Sequence, residues 1–466
     1  MTKFEREDLD RRSMTKKILN LGWPTMLEQL LQTAVQYIDT AMVGALGTHA
    51  VAAVGATTTV NWLVGSTISA AGIGFLAYIS QQLGAGRPDE ARRASGQAAL
   101  CVLVIGSLVT VLTTLLSGLV PVWMQVDESV RADASQYFLI LYLPSLFRTA
   151  AILFGMVLRA SGDTKTPMKV NMVVNIINIV LNFFLIYPSR QVRLGGLSLW
   201  LPGAGAGIHG AAAASALAFL YGGWAITRCL WHHELISPRG QRLLPDASIL
   251  RPCLRVSLPN MLQRFATSFG YVAFASMINS LGELSTAAHT VANTVESAFY
   301  IPGWGMQTAA ATLAGNYWGA RDREGLRSLI RTIVPIEIAF MTASGLLLFI
   351  FAPSLVPIFS KDPEVISLGV TVLRMVAISE PFYGVPIVLE GILQGMGRTI
   401  APFIYNVSGM WLVRIGGTFL CTRLFSLGLV SAWGCMIAHN LLLFVLFLTH
   451  YAMFTVKDLK REHAMS

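Results

Sequence analysis

From residue 18 onward the chain alternates between long apolar runs and short polar breaks. The runs reach roughly 20 residues or more, enough for an α-helix to cross the hydrocarbon core of a bilayer. Hydropathy and helix breakers place twelve spans near 18–43, 50–82, 93–121, 132–157, 167–187, 205–230, 250–279, 286–317, 327–352, 366–394, 401–422 and 428–453. No break is long and polar enough to hold a separate soluble domain. The pattern predicts an all-α polytopic membrane protein.

The pattern is also written twice. Displacing the sequence by 235 residues sets "PTML" at 24 on "PNML" at 259, and "ALG" at 45 on "SLG" at 280. "GAGRPDE" at 84 meets "GARDREG" at 319, "VDESV" at 126 meets "KDPEV" at 361, and "LRASGDTKTP" meets "LQGMGRTIAP". The second copy is about 11 residues shorter between its fifth and sixth spans. Six spans per copy give both halves the same topology, so a pseudo-two-fold axis along the membrane normal relates them. The expected parts are an N-terminal tail (1–17), a six-helix lobe (18–231), a linker (232–249), a second six-helix lobe (250–454) and a C-terminal tail (455–466). Two equivalent bundles around a midplane cleft suit a transporter working by alternating access.

Composition agrees with this picture. Of 466 residues, 54% are hydrophobic and only 13% charged, against about 25% charged in a soluble domain. The net charge of +9 comes from the placement of lysine and arginine. Twenty-five of the 34 fall in the termini and alternate connections, five (Arg131, Arg190, Arg193, Lys361, Arg423) in the others, and Arg148, Arg264, Arg374 and Arg414 inside spans. The positive-inside bias puts both termini in the cytoplasm and removes any need for a nucleic-acid partner. No cleavable leader is apparent at the N-terminus. The five cysteines are scattered without a CxxC pair, which fits packing rather than metal binding.

Polar residues inside the spans carry the candidate chemistry, because each is costly in hydrocarbon. At about 100° per residue, Asp39 returns to within about 20° of Glu28, and Gln32 and Gln36 fall beside them. The fifth span adds Asn175, Asn178 and Asn182 on one face. Amide and carboxylate oxygens suit a hard cation such as Na⁺, and a desolvated carboxylate suits reversible protonation. Hydrogen bonding between helices is the plainer reading of the asparagines. The second half replaces Asp39 by Phe274 and carries its own stripe, His289, Asn293, Glu296 and Tyr300. Asn61 occupies the position matching Glu296, and Glu380 and Glu390 lie in the tenth span. These residues, with Glu28, Gln32 and Gln36, are candidates for a cation-attracting substrate cavity; salt bridging to the intramembrane arginines is the alternative. There is no GxxxxGK[ST] loop and no HExxH, so nucleotide hydrolysis by that loop and zinc proteolysis are not indicated. No enzymatic activity and no cofactor are expected.

The stretches "YIDTAMVGALGTHAVAAVG", "QQLGAGRPDEARR", "VLRASGDTKTPM" and "NIINIVLN", together with the duplication, resemble the multidrug and toxic compound extrusion (MATE) family over about residues 15 to 455. The resemblance implies a multi-pass protein of the cell (inner) membrane, with two six-helix lobes around a central cleft. It implies export of organic cations or amphipathic drugs, driven by inward flow of Na⁺ or H⁺. Asp39 falls where the family places its first-helix carboxylate. Asn178 and Asn182 match the fifth-helix pair, the second of which is aspartate in some members. Ser215 falls where a threonine often completes that site. The second-lobe glutamate and aspartate of sodium-coupled members fall on Thr267 and Tyr383, so coupling is expected to run through Asp39, with Na⁺ candidates at Asp39, Asn178 and Asn182. A monomer working on small molecules in the lipid bilayer is expected. The alternatives are a lipid-linked oligosaccharide flippase of a related superfamily, and a non-transporting receptor or scaffold.

Overall fold

In a computed structural model, residues 3–463 are described apart from 125, 195 and 196, with side chains described for 11–453 apart from 56, 59, 125 and 192–199. The side chains of the first ten residues, Arg193, Lys457, Lys460 and Arg461 therefore lie outside the described ones. The helices of the first half are α1 (Lys3–Gly44), α2 (Thr48–Gly84), α3 (Pro88–Leu116), α4 (Val120–Trp123), α5 (Glu128–Tyr142), α6 (Ser145–Ala160), α7 (Lys165–Leu185) and α8 (Gly207–Trp231). Those of the second are α9 (Ala247–Asn279), α10 (Glu283–Ser297), α11 (Ile301–Gly319), α12 (Arg323–Phe359), α13 (Pro363–Gly395), α14 (Ile400–Ser408), α15 (Gly416–Phe419) and α16 (Leu429–His463). π-Helical turns at Gly409–Ile415 and Leu420–Leu424 continue α14 and α15.

Each expected span has a helical counterpart, and some spans are broken. Seven helices are long and apolar enough by themselves to cross a membrane among the described residues, and α5 with α6, bent by 51°, makes an eighth. The rest are less apolar, as in α1 and α9, which mix amides and hydroxyls with their charges, or are interrupted, as in α10–α11 and α14–α15. On α3, Val104, Leu108, Val111 and Leu115 form an exposed apolar face. Water would penalise that face, whereas lipid accepts it.

The repeat is visible in backbone detail. Gly47 (φ 107°, ψ 176°) and Gly282 (φ 104°, ψ 172°), 235 residues apart, precede α2 and α10 in a conformation that side chains rarely adopt. Asp127 and Asp362 cap α5 and α13 by accepting from the backbone N–H two residues on. At one repeat position Gly86 (φ 70°) is matched by Arg321 (φ 56°), which adopts the same left-handed turn with a side chain.

The segment between α7 and α8 departs from an all-helical reading. Strands β1 (Pro188–Leu194) and β2 (Leu197–Ala204) pair antiparallel, with Gln191 opposite Trp200. Alternating residues on either side of a Gly-Gly pair are the signal for such a hairpin, and it lies where the first copy is longer than the second.

The chain divides into two compact units, Leu27–Ser257 and Met1–Met26 with Leu258–Ser466. The expected lobes, 18–231 and 250–454, meet these units differently at α1 and at the start of α9. Before Leu27, α1 belongs with the second half: Thr25 donates to the Gly305 carbonyl at 2.7 Å. Met14 and Ile18 join Met306, Leu329, Ile333, Val388 and Phe447 in one core. A second core of that unit gathers Phe274, Ile278, Leu348, Val372 and Trp433. The Leu27–Ser257 unit is built on Val43, Phe138, Tyr142, Ile186 and Ile208.

Candidate functional site

In the Leu27–Ser257 unit, α1, α7 and α8 bring four of the expected residues together. Asn182 Nδ2 donates to Asp39 Oδ1 at 2.6 Å and to Asn178 Oδ1 at 3.1 Å. Asn178 is within hydrogen-bond distance of Ser215 Oγ, at 3.0 Å. Its amide has a second seating, in which the nitrogen donates to Asp39 Oδ1 (2.9 Å) and Oδ2 (3.2 Å) and the oxygen accepts from Ser215. Asn178 and Asn182 are one helical turn apart, which puts both amides on one face of α7. Asn182 Oδ1 is buried with no partner. A carboxylate, an orphaned amide oxygen, a second amide and a hydroxyl form an oxygen-rich set of the kind that holds a hard cation or a carboxyl proton. Asn175, also on α7, has its Nδ2 buried without a partner. Gln32 and Gln36 are exposed on α1.

Glu28 is not part of this group. Arg159 Nη2 lies 2.6 and 2.7 Å from its two carboxylate oxygens, and Asn171 Nδ2 donates at 2.5 Å. The side chains of Arg159 and Glu28 are 10% and 7% exposed, so this is a buried ion pair. Glu28 and Asp39 are spaced to share a face of α1, but the two acids serve separate clusters. Sequence reasoning assigned Arg159 to a basic connection and passed over Asn171. The asparagine series of α7 continues back to Asn171 in "NMVVNIINIVLN", and that was the available signal. Further along, Asn61 accepts from Arg148 Nη1 at 2.6 Å and from the Tyr142 hydroxyl at 3.1 Å. The Arg148 guanidinium also lies over the rings of Tyr142 and Phe219, at 5.5 and 5.1 Å.

The second unit contains the other expected acids, in contrasting surroundings. Glu390 is fully provided for: Gln263 (2.9 Å) and Gln394 (3.0 Å) donate to one oxygen and Asn406 (3.1 Å) to the other. Glu380 is 1% exposed, and neither of its oxygens has a partner. Tyr300 packs edge-on to Tyr383, with centroids 6.0 Å apart. His289 Nδ1 accepts from the indole N–H of Trp433 at 3.3 Å. Glu296 is buried and Asn293 exposed. No arginine pairs with Glu296, Glu380 or Glu390 among the described residues. Instead Arg264 lies over Trp304 and Arg374 over Phe349, at 5.4 and 5.2 Å. Sequence reasoning missed Glu337, which is fully buried with both oxygens unpartnered. It is the one acid in the apolar run "IVPIEIAF", a pattern that itself marks a residue for scrutiny.

Duplicated bundles of lipid-length helices, each with polar groups buried among them, define an integral membrane protein with functional polar sites inside its bundles. The MatE family profile matches residues 24–184 and 259–420, one block in each half. The chain belongs to the MatE family. It is 28% identical over 423 residues to the probable multidrug resistance protein NorM of Thermotoga maritima, covering 91% of this chain and 89% of that protein. It is 24% identical over 414 residues to the multidrug resistance protein MdtK of Yersinia pseudotuberculosis, covering 87% of each. Among solved structures, an outward-facing multidrug resistance MATE family transporter superposes with a TM-score of 0.88 at 21% identity, over 96% of this chain and 97% of that one. A MATE structure in the bent conformation gives 0.86 at 22% identity over the whole of both chains. The fold is thus the twelve-helix, two-lobed MATE architecture. The family is one of transporters, not enzymes, and its relatives carry multidrug resistance names.

Proposed function

We propose that this protein exports organic cations and amphipathic drugs across the cell membrane by alternating access, in exchange for Na⁺ or H⁺ bound at Asp39. The observation that carries this reading is the hydrogen bond from Asn182 to the Asp39 carboxylate, with Asn178 beside it and Ser215 held by Asn178, inside one unit. An ion entering from outside neutralises Asp39 and takes up the orphaned Asn182 oxygen, or a proton does the same work on the carboxylate alone. The ion drives export only through its different affinity for the two conformations. In this reading the protein acts as a monomer, with both termini in the cytoplasm as the lysine and arginine distribution implies. The Thr267 and Tyr383 substitutions leave coupling to the first unit.

The test is dye or drug efflux from proteoliposomes under separately imposed Na⁺ and pH gradients, comparing wild type with Asp39→Asn. One gradient should drive export by the wild type, and the variant should lose that drive. Normal gradient-driven export by Asp39→Asn would remove Asp39 from the mechanism, and no response to either gradient would remove the antiport reading.

A further inference from the structure

The second unit buries a cation and an acid that do not meet. Arg414 is 5% exposed and sits in the π-helical turn Gly409–Ile415, an irregularity frequent at functional sites. Its guanidinium lies over the rings of Phe274 and Tyr271, at 4.3 and 4.9 Å. No described residue accepts a hydrogen bond from it. Glu296, 8% exposed, lies within electrostatic range of Arg414 but forms no ion pair with it, and its carboxylate likewise has no hydrogen bond. Arg414 Nε is sealed from solvent and has no hydrogen-bond partner.

Two histidines flank this centre. His439 on α16 is 6% exposed, with both ring nitrogens unpartnered, and lies against Gly409, where a Cβ would come within 2.8 Å of Nε2. His289 stacks edge-on to both Phe274 and Trp433. A buried charge without a partner is strongly unfavourable. Aromatic faces recover only part of that cost. A planar guanidinium with free N–H groups is matched by a carboxylate, and the nearby imidazoles add donors.

We infer that Arg414, with His439 beside it, binds the anionic group of an aromatic organic carboxylate, so that the second unit selects substrates by a negative charge. This rests on the efflux reading above for its substrate class, and extends it beyond cations.

The experiment is fluorescence anisotropy on the full chain in lipid nanodiscs, with a rhodamine dye whose carboxylate is free and with its methyl ester. Wild type should bind the free acid about ten-fold or more tightly than the ester, as a charge-assisted contact implies. Arg414→Gln should bring that ratio to within about two-fold of one. Glu296→Gln should tighten the free acid by removing a like charge, and it gives a second reading if the arginine variant fails to fold. No preference in wild type, a preference that survives Arg414→Gln, or weaker acid binding by Glu296→Gln overturns the inference. Proteoliposome export of the two dyes separates the readings. Preference without export removes the efflux reading and leaves this site, and export without preference does the reverse.

Discussion

Asn182 donates to Asp39 across 2.6 Å although 143 residues separate them, and the Asn182 oxygen is left buried without a partner. Replacing Asn182 with leucine removes both the charge-assisted donor and the free oxygen. The ion concentration that half-activates efflux should rise about ten-fold or more, as loss of a bond to a charged group implies. An unchanged ion dependence in Asn182→Leu would show that the amide is only a tie between helices.

The Glu28–Arg159 pair gives a stability prediction with a built-in control. Leaving either charge buried alone is costly, so Glu28→Met or Arg159→Met should each destabilise by about 3–5 kcal/mol. The double variant should lose less than either single one, because it leaves no orphaned charge. Thermal unfolding in detergent ranks the three proteins, and a double variant weaker than both singles would refute the account.

Glu337 presents the opposite case, an acid with nothing to lose. Its carboxylate lies beside Gly303 and Gly384, where an added Cβ would come within 3.0 and 2.8 Å of Oε1, and makes no hydrogen bond. Glu337→Met keeps the volume and removes the unsatisfied group, and should raise stability by about 1–3 kcal/mol. A loss of stability would show that the carboxyl group has a partner in the working protein, and efflux measured alongside would show whether that partner serves transport.

Gly282 and Gly434 separate backbone strain from side-chain packing. An added Cβ meets nothing within 4 Å at either position. Gly282→Ala should still cost about 1–3 kcal/mol, because φ there is 104°. Gly434→Ala lies within α16 and should gain about 0.5–1 kcal/mol from helix propensity. Equal shifts in melting temperature for the two would contradict this.

The linker between the repeats is held to α3 by Asp246. Arg93 donates to its Oδ2 at 2.6 Å, Gln97 binds the Leu244 carbonyl at 2.8 Å, and the Asp246 N–H donates to Gln97 at 3.0 Å. The hydroxyl and backbone N–H of Ser248, with Arg93, hold the Asp246 carboxyl below its ordinary value. A depressed value means the ionised form is the one the fold favours. Its stabilisation is complete above the ordinary aspartate value of about 3.9, and is lost as pH falls through the lower folded value. Hydrogen exchange in residues 240–246 should rise only in that acidic range, and in Asp246→Asn it should be raised at neutral pH.

Twelve spans, their duplication and the class of membrane protein could be read from the chain alone. Bilayer thickness imposes the length of each run, and unsatisfied backbone groups in lipid impose the helix. The same physics marks Asp39, Asn178, Asn182 and Glu296, because a polar residue in an apolar run is conspicuous on a line of text. Helical spacing could also align Glu28 with Asp39, but only the tertiary structure decides that one meets Arg159 and Asn171 while the other meets Asn182. A helix face specifies direction; which partner arrives there depends on elements far away in sequence. That is equally why Arg414 stands unpaired near Glu296 and why α1 changes units at Met26. Each depends on packing between segments that no local pattern encodes.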